Sequence, residues 1–156
     1  MNNTLIVYYS LFQNTANLAL EIAKQTGGTI RELIPDKNYS FDYNTAAKEV
    51  RNQIARGFCP SLGSGNESID GYQTIFIGTP NWFKTLAPPV MSFLRQHDFA
   101  GKTVIPFCTH GGGGFGQVEI DIAKECSNST ILRGVAVNGT VVPAEVTDWL
   151  RTIGYK

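Results

Sequence analysis

Apolar residues fall into five short, nearly continuous runs, and the segments between them have the mixed apolar and polar spacing of helices. The runs predict β-strands at residues 4–9, 29–34, 72–78, 102–109 and 131–137. The intervening segments predict helices at residues 14–25, 45–56, 88–96, 116–127 and 143–153. Because buried strands that alternate with helices are typical of parallel sheets, the pattern predicts one α/β domain over residues 1–156, with helices on both faces of the sheet.

The connections are polar and rich in glycine, and residues 36–43 and 58–68 are predicted as surface loops. One residue conflicts with the strand pattern. Pro106 lies inside the fourth predicted strand, where a proline removes one hydrogen bond from the ladder. Either a bulge or an early end of the strand would accommodate it.

Charge and cysteine content exclude several classes of protein. Thirteen basic and thirteen acidic residues balance, so no bulk positive field attracts nucleic acid or an anionic membrane. No apolar run is long enough to span a membrane, and the first residues lack a signal-like segment, which predicts a cytoplasmic protein. Cys59, Cys108 and Cys126 are widely spaced, so neither a disulfide framework nor a zinc site is expected.

A short polar loop follows the first predicted strand and leads into the first predicted helix. Ser10, Gln13, Asn14 and Thr15 offer hydrogen-bonding side chains there, and the loop contains no Lys or Arg. The start of a helix adds unpaired backbone N–H groups and the positive end of the helix dipole. The loop is therefore interpreted as a site for one phosphate monoester. The alternative is that Asn14 or Thr15 simply caps the helix.

Parallel sheets of this kind bind ligands beyond the carboxyl ends of their strands, so the loops after the third and fourth predicted strands are the next candidates. Residues 79–86 form the first of these and contain the adjacent aromatic residues Trp82 and Phe83. Their position at the predicted ligand edge favours a flat surface for a ring system. The alternative is that both side chains close one end of the core.

Residues 109–116 form the second of these loops and contain four consecutive glycines after His110. Glycines let the backbone approach a flat ligand closely. The stretch also fits the pattern G-x-G-x-x-G, but it follows the fourth strand and no acidic residue lies about twenty positions on, which disfavours a dinucleotide fold. The Walker pattern is absent.

His110 is interpreted either as a proton-relaying group or as an ordinary hydrogen-bonding loop residue. Cys108 is interpreted as a small buried residue.

Taken together, the three loops resemble those of the flavodoxin-like family, and most closely those of a short bacterial subgroup. The resemblance covers the whole chain. It implies a three-layer sandwich with a five-stranded parallel sheet in the order 2-1-3-4-5, and non-covalently bound flavin mononucleotide (FMN). It also implies that the phosphate is held by Ser10, Leu11, Phe12, Gln13, Asn14 and Thr15. The flavin ring would be lined by Thr79, Pro80, Asn81, Trp82 and Phe83 on one side, and by Thr109, His110, Gly111, Gly112, Gly113, Phe115 and Gly116 on the other.

Two departures from the family pattern bear on function. Electron-shuttling relatives are usually strongly acidic, whereas this chain has no net charge. Lys84 also stands where related sequences often have Gly, and its side chain either points to solvent or stabilises reduced flavin.

The expected function is electron transfer to a redox partner protein. The alternative is a small FMN-dependent oxidoreductase that takes hydride from a nicotinamide and reduces a quinone. A flavin-free phosphate-binding domain is the third possibility.

Overall fold

The computed structural model describes residues 3–155, and its strands and helices alternate along most of the chain. The strands are β1 Thr4–Tyr8, β2 Thr29–Glu32, β3 Ile34–Pro35, β4 Leu62–Ser64, β5 Thr74–Trp82, β6 Thr85–Leu86, β7 Thr103–His110, β8 Thr130–Ile131 and β9 Val135–Asn138. The helices are α1 Asn14–Thr26, α2 Tyr43–Arg56, α3 Pro88–Arg95, α4 Val118–Glu125 and α5 Pro143–Thr152.

The main sheet is parallel and runs in the order β2-β1-β5-β7, with β8 and β9 sharing the position beyond β7. This is the predicted 2-1-3-4-5 order, and the predicted α/β flavodoxin-like fold is confirmed. The order reverses between β1 and β5, so the loops that follow these two strands lie side by side at the carboxyl edge of the sheet.

Two apolar layers cover the sheet. Side chains of β1 alternate between them, since Leu5 and Val7 belong to one cluster and Ile6 belongs to the other. The first cluster includes residues of α2, α3 and α4, and the second includes residues of α1 and α5. Because both faces of the central strands are buried, nearly every residue in them is apolar, which is why the strands were recognisable in the sequence.

The strand position beyond β7 contains a bulge opposite Pro106. Val104 pairs with Ile131, whereas Phe107 pairs with Val135, so three steps along β7 match four steps along its neighbour. Pro106 has no N–H to donate, and a Cβ on Gly134 would lie 2.4 Å from the Pro106 carbonyl oxygen. The close approach at a glycine explains both the split of the predicted strand 131–137 and the proline within a central strand.

The predicted loop at residues 79–86 is instead a β-hairpin. β5 continues to Trp82, and β6 returns antiparallel to it, with Asn81 opposite Leu86 and Trp82 opposite Thr85. The two connecting residues, Phe83 and Lys84, both have positive φ angles of 54° and 72°. That conformation is typical of the two-residue turns that fit the twist of a hairpin, and it favours Asn or Gly. Neither Asn nor Gly occupies positions 83 and 84, so the sequence did not predict the turn.

Several further boundaries differ from the prediction by one residue or more. β3 and β4 form a small antiparallel pair within segments predicted as a strand end and a loop. Helix α4 begins at Val118 instead of residue 116. Helix α2 begins at Tyr43, because Asp42 accepts hydrogen bonds from the backbone N–H of Thr45 at 3.0 Å and from its hydroxyl at 2.7 Å. This N-cap fixes where α2 enters the region of the predicted site.

Candidate functional site

A cleft of about 340 Å³ opens at the carboxyl edge of the sheet, between the loops that follow β1, β5 and β7. Its volume lies within the range of small-molecule sites. Eleven residues predicted for the site line it, namely Ser10, Leu11, Phe12, Asn14, Thr15, Pro80, Asn81, Trp82, Thr109, His110 and Gly111. Neither an acidic residue nor Lys or Arg occurs in this lining, as far as residues 3–155 are concerned.

The first loop joins β1 to α1 and supplies the polar end of the cleft. Gln13 occupies the N-cap position with a left-handed φ of 76°, and its side chain makes no capping hydrogen bond. Asn14 and Thr15 lie within the helix, so the interpretation of either residue as the cap is wrong. The first turn of α1 carries no acidic residue. Its unpaired N–H groups and dipole therefore favour an anion.

Ser10 provides the most informative atom of the site. Its Oγ is buried and has no hydrogen-bond partner anywhere in the part of the chain that the structure describes. An unpaired buried hydroxyl costs about 1–3 kcal/mol. Because Ser10 lines the cleft beside the start of α1, a hydrogen-bonding ligand in the cleft would satisfy it.

Two hydrogen bonds fix the loops relative to one another. The hydroxyl oxygens of Thr15 and Thr109 lie 2.7 Å apart in a buried position. The side-chain amide of Asn81 donates to the carbonyl oxygen of Gly114 at 2.8 Å. The end of β7 is therefore tied to α1, and the loop after β7 is tied to the β5–β6 hairpin.

Trp82 forms one wall of the cleft and also packs against the core. Its ring lies edge-on to Tyr9, with centroids 5.5 Å apart, and edge-on to Tyr39 at 5.4 Å. Trp82 therefore packs against the core, as the second interpretation proposes, and it also lines the cleft, where its contact with a ring system stays a prediction. Phe83 differs, because its side chain is 44% exposed and lies beneath the guanidinium of Arg51 at 5.0 Å. It does not close the core.

The two tyrosines behind Trp82 are neutral hydrogen-bonding groups. Burial raises the pKa of both hydroxyl groups, and the negative charge of an ionised Tyr39 raises the pKa of Tyr9 further. Tyr9 donates its hydroxyl proton to Asn38 Oδ1 at 2.6 Å, and Tyr39 donates to Gln53 Oε1. They support Trp82 without adding charge to the cleft.

His110 and Cys108 are also placed by the strand that ends at the cleft. His110 Nδ1 accepts a hydrogen bond from the N–H of Gly112 at 3.0 Å, so the proton of a neutral ring is on Nε2. Cys108 is fully buried, as predicted, and burial raises its pKa to about 12. The thiol is therefore not a nucleophile.

A flavodoxin profile matches residues 3–153, which is nearly the whole chain. The chain belongs to the flavodoxin family. A candidate flavoprotein of Bacteroides uniformis is 30% identical, with a TM-score of 0.87 over 96% of this chain and 98% of that one. A candidate flavoprotein of Bacteroides eggerthii is 25% identical, with a TM-score of 0.88 over the full length of both chains. No curated protein matches.

The structure of a Lactobacillus acidophilus flavoprotein in complex with FMN shares the fold. It is 20% identical to this flavodoxin-family chain, with a TM-score of 0.75 over 96% of this chain and 99% of that one.

None of the helices in residues 3–155 combines the length and the apolar character needed to cross a membrane. Within those residues no cluster of His, Cys, Asp and Glu has the arrangement of a metal site.

Several predicted residues lie outside the cleft. The Thr79 hydroxyl accepts the N–H of Ala87 at 2.9 Å and so ties β5 to the start of α3. Phe115 turns away and packs near Gly134. Phe83 lies in the turn of the β5–β6 hairpin and does not line the cleft either. The remaining ones, Gln13, Gly112, Gly113 and Gly116, belong to the cleft-forming loops without lining the cleft itself.

Three residues of the cleft were missed by sequence reasoning. Tyr43 reaches it from the start of α2, and Asn138 and Gly139 reach it from the end of β9. The Asn-Gly pair is a turn signal at the carboxyl end of the last strand, and it could have been found by extending the edge rule to that strand. Tyr43 carried no such signal.

Proposed function

We propose that this flavodoxin-family chain binds FMN non-covalently and transfers electrons through it. The observation that carries the proposal is the buried, unpaired Ser10 hydroxyl in a cleft at the start of α1. A phosphate ester would pair with that hydroxyl and with the unpaired N–H groups of the helix. The FMN complex of the Lactobacillus acidophilus flavoprotein supports the choice of ligand.

The residues present fit this cofactor. Ser10 and Asn14 would hold the phosphate with their side chains, and Thr15 would do so with its backbone N–H, since its hydroxyl already pairs with Thr109. Trp82 offers a flat apolar wall to the ring. A Cβ on Gly111 would meet nothing within 4 Å, so that backbone is open to a ligand. Bound FMN would supply the redox chemistry.

The protein's own contribution is to bind, orient and shield. Because none of the described residues that line the cleft is Lys or Arg, the phosphate would be held by hydrogen bonds and the helix dipole. The hydrogen bonds of Thr15 to Thr109 and of Asn81 to Gly114 keep the loops fixed, which limits reorganisation around the ring. A redox partner protein in the cytoplasm is the proposed source or recipient of electrons.

A second candidate, an FMN-dependent oxidoreductase acting on a nicotinamide and a quinone, is favoured by charge. Acidic and basic residues balance, so the chain lacks the net negative charge that guides an acidic shuttle to a basic partner. Anaerobic reduction followed by visible spectroscopy separates the two candidates. A carrier would take up electrons singly, whereas a two-electron enzyme would take them up in pairs.

Fluorescence titration with FMN and with riboflavin tests the cofactor assignment. FMN should bind more tightly than riboflavin, because only FMN places a phosphate against Ser10 and α1. A protein that is isolated colourless and stays so with excess FMN would show that the cofactor assignment is wrong. Equal affinities for FMN and riboflavin would instead remove the phosphate site from the proposal.

A further inference from the structure

A second opening of about 200 Å³, here called the side pocket, adjoins the cleft. It lies between the loop after β1, the first half of α2 and the β5–β6 hairpin. It shares Leu11, Phe12, Tyr43, Asn81 and Trp82 with the cleft. A molecule in the side pocket would therefore lie directly beside a ligand in the cleft.

The floor of the side pocket is apolar and firmly packed. Leu11, Ala46 and Val50 are 9%, 4% and 2% exposed, and Ala47 joins them from the same turn of α2. Among the residues described, none that lines the side pocket is charged. Burying a charged group there would leave it without a partner, which is costly. The lining therefore favours an uncharged ligand.

The rim is made of exposed aromatic rings. Phe12 is 46% exposed, Tyr43 is 72% exposed and Phe83 is 44% exposed, all around one opening. Scattered exposed apolar residues are ordinary, but a contiguous group beside a cleft marks a binding site. Aromatic walls favour a flat ring as the ligand.

Asn81 supplies a side-chain amide to this lining, besides the hydroxyl of Tyr43 at the rim. One N–H of its amide is used by the carbonyl oxygen of Gly114, which leaves a second N–H on the same nitrogen. That N–H would suit a carbonyl oxygen on a flat ligand. The volume lies below that of ordinary drug-sized sites, which limits the ligand to one or two fused rings.

We infer that the side pocket is a subsite for an uncharged, planar ring compound with carbonyl groups, of the chemical class of the quinones. The binding itself rests only on the lining of the side pocket. The role of the side pocket as a place where electrons are accepted rests on the proposed function, because only bound FMN in the cleft would lie beside the quinone ring. No residue of α2 was assigned to a site by the sequence, so this function of Ala47 and Val50 is new.

Calorimetric titration with 2,3-dimethyl-1,4-naphthoquinone tests the inference. This probe is uncharged and has no free ring position that adds a thiol, and with oxidised FMN it exchanges no electrons. Ala47→Leu fills the side pocket and should weaken quinone binding by about tenfold or more, because overpacking a fitted contact is costly. Ala55→Leu is the matched control, since Ala55 is exposed on the same helix and lines neither opening.

FMN affinity is measured in the same variants and should be unchanged in both. Equal quinone affinity in wild type and Ala47→Leu, or no quinone binding by the wild type, would overturn the inference. Competition between quinone and FMN would also overturn it, because the side pocket would then belong to the cofactor. If the wild type bound no FMN, the proposed function would fail, and the quinone titration of the chain alone would still decide the inference.

Two further measurements keep the test decisive. Phe83→Ala opens the rim instead of filling the floor, and it should also weaken quinone binding even if Ala47→Leu fails to fold. Naphthalene-2-sulfonate has a similar ring system with a negative charge and should bind more weakly than the quinone. If it bound more tightly, the site would recognise anions through Arg51, which lies over Phe83, and the uncharged ligand class would be wrong.

Discussion

The hydroxyl oxygens of Thr15 and Thr109 lie 2.7 Å apart, and the two residues are only 1% and 4% exposed. This contact joins the first helix to the end of β7 across 94 positions of sequence. It fixes the first turn of α1 against the end of β7 before any ligand binds.

Replacing either threonine with valine should destabilise the apoprotein by about 1–3 kcal/mol, because the other hydroxyl stays buried without a partner. Urea unfolding measures the loss. The double variant Thr15→Val/Thr109→Val should recover part of it, since both polar groups are then removed. Additive losses in the double variant would show that the two hydroxyls do not interact.

The turn of the β5–β6 hairpin contains Lys84 at a φ of 72°, where a residue with a Cβ is strained. Lys84→Gly should raise the free energy of unfolding by about 0.5–1 kcal/mol, since the relief of strain exceeds the entropy cost of glycine. Lys84→Ala is the control, because it removes the charge and keeps the strain. Equal urea midpoints for all three proteins would show that the turn is not strained in solution.

The sequence predicted those features of the fold that neighbouring residues determine, and it missed those that depend on tertiary packing or on an unusual backbone conformation. The central strands themselves were predicted from Leu5, Val7 and similar residues, because strands buried on both faces are apolar throughout. Their order came from the family resemblance, since the apolar pattern of a strand does not identify its neighbours. The hairpin after β5 was missed, since Phe83 and Lys84 adopt a turn that their types do not favour. Tyr43 was missed because only the tertiary packing of α2 brings it to the cleft.

Trp82 forms T-shaped ring pairs with Tyr9 and Tyr39 and also lines the cleft, so it should contribute to stability and to binding. Trp82→Ala should destabilise the apoprotein by about 1–3 kcal/mol, from the loss of two edge-to-face pairs. It should also weaken FMN binding in a fluorescence titration. Trp82→Phe should retain most of both properties, because a smaller ring keeps a flat wall.

Trp149→Phe is the matched control for the binding measurement. Trp149 packs on the opposite face of the sheet and donates its indole N–H to the Arg133 carbonyl oxygen at 2.9 Å. Its replacement should lower stability without changing the affinity for FMN. If Trp82→Ala lost stability alone, Trp82 would act only in the core.

His97 should make stability depend on pH. Burial lowers its pKa from the ordinary 6.5, the charge of Arg31 lowers it further, and Asp70 partly opposes them. The unfolded chain then binds a proton more readily than the folded one, so this contribution is present above pH 6.5 and is lost as pH falls toward the folded pKa.

Urea midpoints should therefore fall more steeply in the wild type than in His97→Gln as the pH is lowered from about 7.5 to about 5. This range begins above the ordinary histidine pKa of 6.5 and ends below it. Glutamine keeps a hydrogen-bonding group near Asn66 Oδ1, which lies 3.0 Å from His97 Nε2. Parallel pH profiles would assign the pH dependence to other groups.

Ser10→Ala should separate the two consequences of an unpaired hydroxyl. In the apoprotein it should leave the urea midpoint unchanged or slightly raised, because it removes a buried group that has no partner within residues 3–155. It should weaken FMN binding by about tenfold, since a hydrogen bond to a charged phosphate contributes about 1.5 kcal/mol. Riboflavin, which lacks the phosphate, should bind equally to wild type and to Ser10→Ala.

Ser127→Ala, at an exposed position after α4, is the control and should change neither affinity. A parallel loss of FMN and riboflavin affinity in Ser10→Ala would mean that Ser10 supports the ring instead of the phosphate.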